Sequence, residues 1–186
     1  FTSVLGSSNL KKLRYAWVWE KTLATGFLNA RRMPMKAHED ILVFYDRLPL
    51  YNPIKSEGHK RKVIMAAHRK KCDAGEIYRK YDNYRDYSST ERYPRSVLRF
   101  KTDKQLSYLH SAQKPVALLE YLIRIYTDEN DLVLDFAMGS GSCALACRNT
   151  GRRFVGIEID PKIYTTALNR ITDEQHPGSM GGHSQL

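Results

Sequence analysis

The chain is 186 residues long, 42% hydrophobic and 27% charged, enough to bury one substantial core and too apolar for a disordered protein. No apolar run approaches membrane-span length and no signal-peptide pattern opens the sequence, so membrane-embedded and secreted classes are set aside and a cytoplasmic location is expected. Lys and Arg number 30 against 20 Asp and Glu, a net charge of +10 that favours a polyanionic partner.

In chain order, Leu13 to Glu20 and Ile41 to Tyr45 read as strands, joined by a loop that contains Arg31, Arg32, Pro34 and Lys36. Tyr51-Asn52-Pro53-Ile54 reads as a turn. Between Lys55 and Lys104 fifteen basic residues stand against seven acidic ones, interleaved with Tyr78, Tyr81, Tyr84 and Tyr87, and apolar periodicity is weak. That composition reads as an inserted recognition region that neutralises phosphates. Lys60, Arg61, Lys62, Arg69, Lys70, Lys71, Arg79 and Arg85 are its candidate DNA contacts, and a solvated basic face is the plainer alternative.

An alternating α/β pattern follows. A helix is expected from about Lys114 to Thr127, a strand near Leu132 to Asp135, a helix from Ser142 to Asn149, a strand near Phe154 to Ile159 and a helix from Pro161 to Arg170. The tail 173–186, rich in Gly, Ser, His and Gln, reads as disordered. Cys72, Cys143 and Cys147 make no C-x-x-C pair, so Cys143 and Cys147 are expected to pack on a helix, and no metal is implied.

The most informative run is Val133 to Ser142, a buried strand entering the glycine turn Gly139-Ser140-Gly141 and then the helix that starts at Ser142. Glu158 ends the next strand-like run 23 positions after Asp135, where a carboxylate reaches ribose hydroxyls. The turn is a nucleotide-cofactor cradle, and Ala144 at the third glycine position leaves NAD open. A tight strand-to-helix turn without a ligand is the bland reading. A second cluster, His110-Ser111-Ala112-Gln113-Lys114-Pro115, precedes the first helix of this half.

Taken together, HSAQKP at 110–115, DFAMGSGS at 135–142 and GIEID at 156–160 resemble the cofactor half of the beta-class amino-methyltransferases of DNA, which typically read HPTQKP, DPFxGSGTT and GIExD. Trp17 to Lys21 with Ala37 to Phe44 is similar to the block these enzymes carry after their catalytic motif, and Glu91 to Leu98 to the run before HPTQKP. The resemblance covers roughly Tyr15 to Ile171, with Ser111-Ala112 in place of the usual Pro-Thr. It implies a Rossmann-like, S-adenosylmethionine-dependent methyltransferase fold interrupted by a DNA-recognition insert. The expected divisions are 1–50, 51–105 as the insert, 106–172 as the cofactor part, and the tail.

The resemblance also implies the cofactor residues: His110, Gln113, Lys114, Asp135, Phe136, Gly139, Ser140, Gly141, Ser142, Glu158 and Asp160. The helix start near Gly141 and Ser142 would favour the methionine carboxylate, Asp135 would accept from the ammonium group, and Glu158 would take the ribose hydroxyls. Double-stranded DNA is the implied substrate, with a cognate restriction endonuclease as an associated partner. Adenine N6 is favoured over cytosine N4, because the WEK, AHEDILVFY and RYPRSVL runs resemble adenine-modifying members.

Such enzymes transfer the methyl with a D/N/S-P-P-Y/F/W tetrapeptide, and no Pro-Pro occurs here. In the beta-class order the tetrapeptide precedes the Trp17 region, and the chain opens at Phe1 without Met. The expectation is therefore that an N-terminal segment is missing, with strands that belong in the sheet, and that the catalytic residues are not nameable. Two rival classes remain: a nucleotide-dependent oxidoreductase, which leaves the basic insert and HSAQKP unexplained, and a non-catalytic nucleic-acid-binding protein, which leaves the cofactor turn unexplained.

Overall fold

A computed structural model describes residues 1–66, 86–103 and 113–172. His110, Arg69, Lys70, Lys71, Arg79, Arg85, Cys72, Tyr78, Tyr81, Tyr84 and the tail 173–186 lie outside the described residues. The chain divides into two units, one made of Phe1–Asn52 and the described residues from Arg95 onward, the other of Pro53–Pro94.

Two tryptophans organise the first unit. Helix α1 (Thr2–Ser8) leads into strand β1 (Leu13–Thr25), which pairs antiparallel with β2 (Lys36–Phe44) and parallel with β5 (Val97–Phe100). Side chains two apart on a strand share a face, so Trp17 and Trp19 point the same way, and both are buried with Leu98 of β5. Their indole N–H groups are satisfied: Trp17 donates to the Tyr126 hydroxyl at 2.7 Å and Trp19 to the Phe100 carbonyl at 3.0 Å. β1 runs past the expected end at Glu20 because pairing resumes at Thr25 with Lys36 beyond a bulge.

Helix α2 (Val116–Tyr126) starts after Pro115, and the Asp103 carboxylate accepts its first N–H, from Val116, at 2.8 Å. Leu118 and Ile125 join the tryptophan cluster, whereas Ile123 packs on Ala146 and Cys147 of α3 (Ser142–Thr150). The helix thus lies between two cores. Beyond α3 lies a parallel pair, β6 (Leu132–Asp135) and β7 (Arg153–Gly156), in register Leu134↔Val155 and Asp135↔Gly156, followed by α4 (Pro161–Thr172). Val133 and Phe154 pack against the α3 cluster, while Leu132, Leu134, Val155 and Ile157 are exposed on the opposite face. Among the described strands β6 pairs with β7 alone.

The second unit holds a short antiparallel pair, β3 (Lys62–Ile64) with β4 (Tyr87–Ser89). The Arg92 guanidinium donates to the carbonyls of Ser89, Glu91 and Lys60, and Lys55 pairs with Glu91 at 2.7 Å. No described helix is long and apolar enough to cross a membrane.

Candidate cofactor site

β6 and β7 are parallel, so their C-terminal ends lie side by side, and the glycine turn leaves from one while the acidic run leaves from the other. The backbone stays stitched beyond both strands: Ile157 donates to the Asp135 carbonyl at 2.9 Å and Met138 to the Ile157 carbonyl at 3.0 Å. Gly139 and Gly141 have φ of 53° and 78°, the left-handed region that favours glycine. At Gly141 a side chain is doubly excluded, since an added Cβ would lie 3.2 Å from Ala167 Cβ and 3.3 Å from Ile171 Cδ1 of α4.

Glu158 holds the turn from the loop beyond β7, which ends at Gly156 and not at the expected Ile159. Its carboxylate accepts the Gly139 N–H at 2.9 Å and the Asp160 N–H at 3.0 Å. The Asp160 hydrogen bond, then that from Gly139, keeps Glu158 below the usual carboxylate range against the opposing effect of desolvation, so it stands as an anionic acceptor at neutral pH. Asp135 accepts the Ala137 N–H at 3.1 Å, and Asp160 accepts those of Lys162 and Ile163 at the start of α4. Phe136 and Ile159 are exposed where the strands end. The first turn of α3 starts at the same end of the sheet, with Ser142 and Ala144 buried. Two carboxylates beside a helix start suit a ligand that carries hydroxyls, an amine and a carboxylate. Burial, with Cys147 and Asp135 as neighbours, pushes the Cys143 thiol up to about 12, which makes it a packing residue rather than a nucleophile.

Arg170, which the sequence did not single out, braces the turn. It is buried on α4 and its Nη1 donates to the Ser140 carbonyl at 3.1 Å and the Ser142 hydroxyl at 2.9 Å. The only signal available in the sequence was its place on the inward stripe of the last helix, three residues after Ala167.

Of the residues assigned around HSAQKP, Gln113 and Lys114 are among the described residues. Gln113 is buried. Lys114 binds Glu39 at 2.6 Å, as does Lys21, and both ammonium groups lie over the Trp19 ring, at 5.9 Å and 5.5 Å. Burial works to raise the Glu39 pKa, but hydrogen bonds from Lys114 and Lys21 outweigh it and hold the carboxyl below its ordinary range. Of the basic candidates in the other unit, Lys60, Arg61 and Lys62 are exposed at the start of β3, with Arg61 donating to the Ser88 hydroxyl at 3.1 Å. Asn52 is tied to the end of α2, its N–H to the Ile125 carbonyl at 2.7 Å and its side-chain amide to Asp128 at 3.0 Å, and the expected turn at Tyr51–Ile54 is an irregular segment instead.

Comparison with known proteins places this geometry. The type II methyltransferase M.HindIII of Haemophilus influenzae is 36% identical over 81 residues, 44% of this chain and 26% of that protein. The type II methyltransferase M2.DpnII of Streptococcus pneumoniae is 38% identical over 65 residues, 35% of this chain and 24% of that protein. The chain therefore matches about a quarter of the length of these relatives. Among solved structures, the M1.HpyAVI–SAM complex aligns with a TM-score of 0.62 at 26% identity, over 92% of this chain and 70% of that one. The PvuII DNA methyltransferase, titled cytosine-N4-specific, aligns at 0.58 and 16% identity over 94% and 57%, a likeness of fold. The α/β, Rossmann-like methyltransferase architecture expected from the sequence is the one these structures share. The model of the DNA methylase family N6_N4_Mtase matches residues 5–169, nearly the whole chain, and the chain accordingly belongs to the N6/N4 DNA methylase family.

Proposed function

We propose that this chain carries the S-adenosylmethionine cradle and part of the DNA-contacting surface of a site-specific DNA amino-methyltransferase, with adenine N6 as the target. The observation that carries the reading is the turn itself, with Gly139 and Gly141 left-handed and the Glu158 carboxylate bound to the Gly139 N–H. The residues fit the cofactor. Asp135 is an acceptor for its ammonium group, Glu158 and Asp160 for ribose hydroxyls, and the N–H groups at the start of α3 serve its carboxylate. S-adenosylmethionine supplies an electrophilic methyl on a sulfonium when bound. The chain's part is to bind and orient: the turn fixes the cofactor, and Lys60, Arg61 and Lys62 engage DNA phosphates. Transfer is direct to an extruded base, without a covalent enzyme intermediate. A cognate restriction endonuclease is the natural companion of such an enzyme.

The likeness of the WEK, AHEDILVFY and RYPRSVL runs to adenine-modifying enzymes supports adenine over cytosine. The amine-polarising tetrapeptide has no counterpart in this chain, and among the described strands β6 pairs on one side alone, which leaves a strand bearing the tetrapeptide a place to pair. The test is transfer of labelled methyl groups to mixed-sequence duplex DNA, with the product nucleosides separated. Joined to a segment bearing the tetrapeptide, in cis or as a separate chain, the protein is expected to yield N6-methyladenine, whereas alone it is expected to be silent. N4-methylcytosine would favour the runner-up target. Absence of either product in the joined protein would overturn the reading, and robust transfer by the isolated chain would return attention to Asn52.

A further inference from the structure

The hairpin that joins β1 to β2 ends in a tip whose surface is apolar and basic at once. After Gly26, at φ 93°, the chain makes a 3-10 turn at Phe27–Asn29. Phe27 is 77% exposed, Leu28 95% and Met33 58%. These side chains are not exposed through lack of backbone order. Asn29 donates to the Gly26 carbonyl at 2.9 Å, Ala30 to Phe27 at 3.0 Å, Arg32 to Asn29 at 2.8 Å and Met33 to Asn29 at 3.0 Å, so the tip is a closed turn that holds its apolar residues out. From Thr22 to Ala37 the sequence contains Arg31, Arg32 and Lys36 and no Asp or Glu. Such a surface is costly unless something covers it, and the charge selects a polyanion.

Duplex DNA meets both demands. A two-stranded ribbon is narrow enough to enter a major groove, arginines neutralise phosphates, and Phe and Leu are among the side chains that wedge between base pairs. An enzyme that extrudes a base must also unstack its neighbours. We propose that this tip is a DNA wedge: Phe27 and Leu28 insert between base pairs while Arg31 and Arg32 hold the flanking phosphates. The proposal rests on DNA being the substrate, and it assigns to the hairpin a role separate from the basic insert.

The test is fluorescence anisotropy of the 186-residue chain on short mixed-sequence duplexes across a salt series, with 2-aminopurine at successive positions to report unstacking. The pair Phe27→Ser with Leu28→Ser is expected to weaken binding about tenfold, the scale of lost base stacking, with an unchanged salt slope and no rise in 2-aminopurine emission. The pair Arg31→Ala with Arg32→Ala is expected to lower the log–log salt slope by about two. Both pairs should melt like the parent, because the replaced apolar side chains are exposed. Parental affinity and parental 2-aminopurine emission in the serine pair would overturn the wedge and leave the DNA reading standing. Failure of the parent to bind any duplex would overturn both. If the serine pair instead lost binding to phosphatidylserine vesicles while duplex binding persisted, the tip would be a membrane contact and the wedge would be wrong.

Discussion

Arg170 contributes to the site without a place in any of its motifs. Arg170 is 8% exposed, and burial lowers its pKa while Asp103 offsets part of that effect. In return it ties Ser140 and Ser142, both buried, to α4, so the glycine turn is held by α4 as well as by Glu158. Hydrogen bonds from a charged donor contribute about 1.5–3 kcal/mol, and cutting them leaves buried acceptors unpaired. Arg170→Met is therefore expected to lower stability by about that amount, measured by urea unfolding. Arg170→Lys should recover only part, because the lysine side chain is one bond shorter than the reach to Nη1, the nitrogen that makes these bonds. A methionine variant as stable as the parent would show that the clamp contributes nothing.

At the scale of elements, α2 and β6 behave oppositely. Leu118 of α2 is buried in the tryptophan cluster, so Leu118→Ala is expected to cost about 2–5 kcal/mol in urea unfolding. Leu134 of β6 is exposed on the open face of the parallel pair, and Leu134→Ala should change stability by no more than about 0.5 kcal/mol. Equal costs would mean that the open face is covered in solution. The same contrast explains what the sequence revealed. β6 lies where the apolar run placed it, Leu132–Asp135, and α3 and α4 start at the expected Ser142 and Pro161, because turn glycines and Pro161 mark those boundaries locally. Strands β3 and β4 have three residues each and β5 four, too short for periodicity, and α1 buries nothing that could have marked it. The extension of β1 beyond Glu20 depends on its partner, which local pattern does not encode. In the site, the turn glycines lie where the sequence put them because the β6–turn–α3 unit is encoded locally, whereas Glu158 comes to the turn from beyond β7. The partnership of Lys114 with Glu39, 75 residues apart, and the reach of Arg170 to Ser140, 30 apart, are products of tertiary packing.

For the whole molecule, a net charge of +10 goes with a fold in which two parallel strands end side by side at a glycine turn. Parallel sheets are ordinarily covered on both faces, and here Leu132, Leu134, Val155 and Ile157 leave one face of β6–β7 bare. The cradle is built from residues present in this chain and can be tested in it directly.

That test is a calorimetric titration of the 186-residue chain with S-adenosylhomocysteine and, separately, NAD, repeated for Glu158→Ala and across pH. The sulfur cofactor is expected to bind in preference to NAD, and Glu158→Ala to weaken it about tenfold or more through lost hydrogen bonds to a charged acceptor. The folded-state pKa of Glu158 is lowered, so its contribution is complete above the ordinary carboxylate range, near about pH 4.3. Affinity should therefore be flat at neutral pH and fall only as acidification passes below that range, with the fall reduced in Glu158→Ala. Tighter binding of NAD, or S-adenosylhomocysteine binding indifferent to Glu158→Ala, would contradict the account.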